Sequence, residues 1–142
     1  MKEKTKRILL SAYSCCPGKG SEPGVGWNVA YHMALEGIEV HVLTTNEFKE
    51  IILMEMGKAD FPQNLFFHFY DVPFSKFIWK NPEGILIRIH YSLWQKLAQK
   101  EVKRLHKIFN FASAQHVTFV RYWTGSCLSN SKIPYIFGPV GG

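Results

Sequence analysis

With 142 residues, 46% hydrophobic and 20% charged, the chain is sized for one domain with a packed core and is too apolar to stay disordered. Its net charge is +6, and no apolar run approaches the ~20 residues of a membrane-spanning helix. Three cysteines, with Cys15 and Cys16 adjacent, give no disulfide framework, and neither they nor the six histidines fall at metal-ligand spacing. No metal is therefore expected, and the thiols read as those of a reduced, cytoplasmic protein.

Strands and helices alternate along the chain. The basic start Met1-Lys2-Glu3-Lys4-Thr5-Lys6-Arg7 has only a short apolar run behind it, which suits a first strand over 7–12 and not a signal peptide. A helix follows at 24–36, with apolar Val25, Val29, Ala30, Met33 and Leu35 at roughly helical spacing and Gly37 just past its end. Alternation predicts a second strand at 39–44, a short helix at 48–56 and an aromatic third strand at 65–70.

Residues 71–83, with Pro73 and Pro82, read as an irregular loop. The longest helix is expected at 84–109, with Arg88, Ser92, Lys96, Gln99, Lys103 and Lys107 on a polar face and Ile87, Trp94, Val102 and Leu105 on the buried side. A fourth strand at 112–117, a short helix at 122–129 and a fifth strand at 134–137 complete the pattern. Such alternation predicts an α/β fold, a Rossmann-like doubly wound parallel sheet with helices on both faces. The chain stops on Gly138-Pro139-Val140-Gly141-Gly142, where a turn normally leads to a covering helix, so it reads as a piece of a longer protein.

The segment Gly18-Lys19-Gly20-Ser21-Glu22-Pro23-Gly24-Val25-Gly26-Trp27-Asn28 joins the first strand to the first helix. Glycines there let backbone approach a ligand closely, and a helix start offers unpaired N–H groups and a positive dipole end. A Walker A loop is absent. The dinucleotide fingerprint fits poorly, because its third glycine position is Val29 and the connection is too long. A connector without a ligand is the plain alternative.

The positive charge is local. Between residues 84 and 110 six basic side chains face Glu101 alone, which suits a phosphate-bearing partner, an anionic membrane surface or an ordinary solvated face. The stretch Phe74-Ser75-Lys76-Phe77-Ile78-Trp79-Lys80 interleaves aromatics with lysines. It reads either as a membrane contact or as a loop that tucks Phe77 and Trp79 onto its own domain.

Three segments fall after strands: Ser21-Glu22-Pro23-Gly24-Val25-Gly26-Trp27, His116-Val117-Thr118-Phe119 and Gly138-Pro139-Val140-Gly141-Gly142. Together with Glu39-Val40-His41-Val42-Leu43-Thr44, their order and spacing resemble the N-terminal domain of a bacterial GT-B glycosyltransferase of the retaining family 4 group. The likeness spans nearly all of residues 1–142. It implies an acceptor-side domain that works with a C-terminal, nucleotide-sugar-binding domain absent from this sequence. The joined enzyme would transfer a sugar to a glycan or lipid-linked acceptor.

By the same resemblance, Gly24, Val25 and Gly26 line the cleft near the donor phosphates or the reacting sugar. His116 is the catalytic-site histidine beside the transferred sugar, although by its residues alone it reads equally as a satisfied histidine at a strand end, and Gly138 and Gly141 form a second loop at the cleft floor. Glu22 either contacts an acceptor hydroxyl or complements the helix start. Arg121, Tyr122 and Trp123 flank a sugar face or simply pack. The chain departs from the family where Phe111-Ala112-Ser113-Ala114-Gln115 lacks an acidic residue opening the strand, so activity is not expected of the isolated chain.

The resemblance implies no cofactor beyond the nucleotide-sugar co-substrate. The expected location is the cytoplasm, with peripheral contact to an anionic membrane and no nucleic-acid partner. Two other readings stay open. One is a non-catalytic half that recruits a separate catalytic subunit. The other is a nicotinamide-dependent oxidoreductase domain, in which only Glu47, after the second strand, is placed to hold a ribose.

Overall fold

The computed structural model describes residues 6–73, 75–80, 84–117 and 125–138. The elements in chain order are β1 (Arg7–Ser11), α1 (Ser21–Leu35), β2 (Glu39–Thr44), α2 (Lys49–Met56), β3 (Leu65–Phe69), α3 (Ser75–Lys80), α4 (Gly84–Phe109), β4 (Ser113–His116) and β5 (Tyr135–Phe137). The five strands form one sheet in the order β3-β2-β1-β4-β5, and every neighbouring pair is parallel. A parallel sheet needs cover on both faces, which explains why its central strands read as continuous apolar runs.

Side-chain alternation sorts those runs onto two cores. Leu9, Leu43 and Ala114 point to one face, where α4 packs Tyr91, Trp94, Ala98, Val102 and Leu105 against them. Leu10, Val40, Val42 and Leu65 point to the other, under Trp27, Ala30 and Ala34 of α1 and Ile52 of α2. The Rossmann-like parallel architecture expected from the sequence is therefore present.

The helix ends have local causes. Gly37 takes φ +89 just past α1 and donates its N–H to the Ala34 carbonyl, a conformation that would strain any side chain. Asn64 fixes this corner by donating from its amide to the carbonyls of Ala34 and Ile38, both at 2.7 Å. Asn110, at φ +53, ends α4 in the same left-handed manner.

Three expectations require correction. Residues 75–80 lie in the segment expected to be irregular but form α3, because Ser75 and Trp79 both hydrogen-bond back to Asp71. Within the expected helix at 122–129, residues 127–129 form a turn, and 122–124 lie outside the described residues. The first helix begins at Ser21 and not at 24, so residues 21–23 of the glycine-rich segment are helical and Gly24, Val25 and Gly26 lie a turn inside α1 and not in a loop lining a cleft. Its buried stripe is Gly24, Trp27, Ala30 and Ala34, while Val25 and Leu35 are exposed. Small residues let α1 approach the sheet closely, a signal that counting large apolar side chains misses.

Candidate functional site

The chain leaves β1 toward β2 and β3, then crosses to β4 on the other side of β1. Such a switch opens a crevice at the carboxyl ends of the two strands, here β1 and β4, where α/β proteins commonly hold ligands. Ser11 and His116 are register partners across it. The connection over residues 12–20 leaves β1 and folds over the start of α1, where the Cys16 N–H meets the Pro23 carbonyl at 3.0 Å. Gly24 makes that closure possible, because a Cβ there would stand 2.0 Å from the Lys19 carbonyl oxygen.

His116 closes the crevice floor. Its ring is only 1% exposed, with Nε2 3.1 Å from the Tyr91 hydroxyl and Nδ1 2.8 Å from the Ser126 hydroxyl. Ser126 Oγ also accepts the Leu128 N–H at 3.1 Å, so the same hydroxyl ties the ring to the turn that follows. Gly138, the loop residue after β5, donates its N–H to the His116 carbonyl and accepts from the Gln115 amide at 2.6 Å. The ends of β4 and β5 are thereby locked together.

Behind this floor, Ser11 Oγ lies 3.0 Å from Cys127 Sγ, and the Cys127 N–H donates to Gln95 Oε1 at 2.8 Å. Burial pushes the Cys127 thiol up to about 12, so it is not a thiolate nucleophile at neutral pH.

Of the other site residues expected from the sequence, Glu22 sits half-buried in the first turn of α1, suited to complement the helix dipole. Gly24 and Gly26 are buried in the same helix, and Val25 faces outward. Arg121, Tyr122 and Gly141 lie outside the described residues. The structure thus brings His116, Gly138 and the 12–20 loop to one edge of the sheet, with α1 starting beside them.

A second polar cluster on that edge escaped sequence reasoning. Asp71 follows β3 and is held by five donors. Oδ1 accepts from Val72 N–H, Ser75 Oγ and His90 Nε2, while Oδ2 accepts from Asn46 N–H and Trp79 Nε1. His90 Nδ1 lies 2.6 Å from the Tyr13 hydroxyl in the β1 loop. With Asp71 ionised, Nε2–H donates to the carboxylate and Nδ1 accepts the tyrosine proton.

Burial raises the Asp71 carboxyl, but hydrogen bonds from His90, Ser75, Trp79 and the Asn46 amide outweigh it and hold the group below its usual range. Burial, with the Asp71 and Glu47 charges, pushes the Tyr13 phenol far up, so it stays protonated. Glu47, near Lys19 and Asp71, is raised mainly by burial. Beside Asp71 an open cleft of about 370 Å³ is lined by Asn46, Asp71, Ser75, Lys76 and Phe77, among others. The only sequence-level hint of the hub is the four-residue spacing of Asp71, Ser75 and Trp79.

The stretch of lysines and aromatics divides between its two readings. Trp79 packs inward and donates to Asp71 at 2.7 Å, whereas Phe77 is 69% exposed. Among the described residues no group of three His, Cys, Asp or Glu side chains is arranged to hold a metal ion. No helix of the described residues is long and apolar enough to cross a membrane. No protein-family model matches the chain, and no curated protein matches it.

Proposed function

We propose that the chain is the acceptor-side half of a GT-B glycosyltransferase, which transfers a sugar from a nucleotide-sugar to a glycan or lipid-linked acceptor when joined to its donor-binding half. The observation that carries this reading is the crevice at the β1/β4 switch point. There three of the segments on which the family resemblance rests, represented by the start of α1 at residues 21–27, His116 and Gly138, share one edge of a parallel sheet.

The chemistry suits such an edge. Glycosyl transfer develops positive charge on the sugar and negative charge on the leaving phosphate. The start of α1 offers N–H groups toward that charge, since its N-cap Gly20 supplies no side-chain hydrogen bond. His116 acts at the floor of the acceptor site. Contact with a sugar hydroxyl requires that hydroxyl to replace Tyr91 or Ser126 at the ring. The oxidoreductase reading is weaker, because nine residues separate β1 from α1 where a dinucleotide fold makes a tight turn.

The test is a transfer assay on the intact gene product with UDP-, GDP-, ADP- and dTDP-sugars and mixed glycan and lipid acceptors. Release of nucleotide matched by sugar incorporation is expected. Tight binding of a nicotinamide dinucleotide without any sugar transfer overturns the reading.

A further inference from the structure

The outward face of α4 changes character along its length. Over the first turns it carries Ile85, Leu86, Ile89 and Leu93, which are 70%, 57%, 56% and 43% exposed. Over the later turns the same side carries Lys96, Lys100, Lys103 and Lys107, all exposed. These residues recur at three- and four-residue intervals, so they form one continuous stripe opposite the buried Trp94, Ala98, Val102 and Leu105. Arg88 and Ser92 border the apolar part and line a shallow groove with Ile89, Leu93 and Lys96.

Among the described residues nothing in the core calls for this apolar row, since α4 already buries its opposite side. The charge around it has one sign. Among the described residues of α3 and α4 the only carboxylate is Glu101, and Arg104 pairs with it at 2.5 Å. Lys76 and Lys80 of α3 add further positive charge beside the exposed Phe77.

We propose that this face of α4 is a docking surface for a bilayer rich in anionic lipids. Isoleucine and leucine enter the boundary between headgroups and acyl chains, and the lysines that follow meet the lipid phosphates. A row of four large apolar side chains has no use against a nucleic-acid backbone, which is bound through phosphates. The lysine stripe equally disfavours a bare apolar protein partner.

The place of the surface in the fold matters. The apolar end of α4 is the end that supplies His90 to Tyr13 and Tyr91 to His116, so it lies at the carboxyl edge of the sheet beside the crevice. A membrane held there sits next to the candidate site. The proposal concerns the surface alone and does not depend on what the crevice transfers.

The test is co-sedimentation of the intact gene product with phosphatidylcholine vesicles, with and without about one-third phosphatidylglycerol. Binding to the anionic vesicles alone, weakened by salt, is expected. Ile89→Glu with Leu93→Glu should abolish it, and Lys96→Glu with Lys100→Glu should weaken it about tenfold or more. All four side chains are exposed, so unchanged circular dichroism should accompany both losses. Vesicle binding that survives both variants overturns the proposal. So does failure to bind vesicles, and self-association that Ile89→Glu removes would then assign the face to a second copy of the chain.

Discussion

The Asp71 carboxylate accepts a hydrogen bond from His90 Nε2 at 3.0 Å, and this contact ties the end of β3 to α4. Through His90 it reaches Tyr13 in the β1 loop, and through Ser75 and Trp79 it holds α3. One buried anion thus organises three segments at the edge where the candidate site lies.

Asp71→Asn should cost about 2–4 kcal/mol, since both carboxylate oxygens face donors and the new amide turns N–H toward N–H at one of them. The pH dependence follows from the lowered carboxyl. Its contribution is complete above the unfolded value of about 4 and is lost as pH falls through the lower folded value. Urea unfolding between about pH 2 and 6 should show this acid-sensitive component in the native protein and its absence in the variant. An unchanged acid limb in Asp71→Asn refutes it.

A histidine pair adds a second loss of stability on acidification, at higher pH. His41 Nδ1 lies 2.9 Å from His68 Nε2, and the rings stack 5.1 Å apart beneath Phe109. Burial, then the neighbouring His41, pushes His68 down to about 4. Burial also lowers His41, although Glu39 pulls it upward at 2.9 Å. Below about pH 6.5 the unfolded chain takes up protons that the folded pair refuses, so stability falls from there to about pH 4. His68→Gln keeps a polar partner for His41 and should flatten this slope by about 1–2 kcal/mol, allowing for partial exposure. The same urea series between about pH 4 and 7 checks it.

Gly24→Ala places a methyl group against backbone, with 2.0 Å between Cβ and the Lys19 carbonyl oxygen. Backbone cannot swing aside as a side chain does, so α1 or the 12–20 loop must move. A loss of about 2 kcal/mol or more is expected, together with faster proteolysis of the loop. Gly20→Ala is the control, because nothing lies within 4 Å of its added Cβ. Equal stability of the two variants would show that the loop does not close on α1 in solution.

The strands were legible because their apolar residues alternate onto two real cores, Leu9 and Leu43 on one and Leu10 and Val42 on the other. The long helix was legible from Trp94, Val102 and Leu105 at helical spacing. The closeness of α1 was hidden, because Gly24, Ala30 and Ala34 carry little hydrophobic signal. α3 was hidden as well, since its six residues follow Pro73 and depend on hydrogen bonds to Asp71. Of the candidate site, His116 could be placed at a strand end from the strand pattern alone. The Tyr13–His90 contact spans 77 residues of sequence and the His90–Asp71 contact 19, distances over which spacing carries no information.

Tyr91→Phe separates a working His116 from a merely packed one. The substitution removes the hydroxyl 3.1 Å from Nε2 and leaves the ring, which packs edge-on against Tyr13 at 5.0 Å. Lost packing is therefore small, and the stability cost should stay near 1 kcal/mol. If the imidazole serves the acceptor, the loss of its orienting partner should lower kcat of the complete enzyme about tenfold or more, with KM for the nucleotide-sugar little changed. Ser126→Ala, which removes the Nδ1 partner at 2.8 Å, should then spare kcat, because the acceptor hydroxyl takes that partner's place at the ring. Turnover that follows only the change in stability in Tyr91→Phe would leave His116 as a structural residue at the end of β4. The acceptor chemistry would then have to be sought among the groups around Asp71.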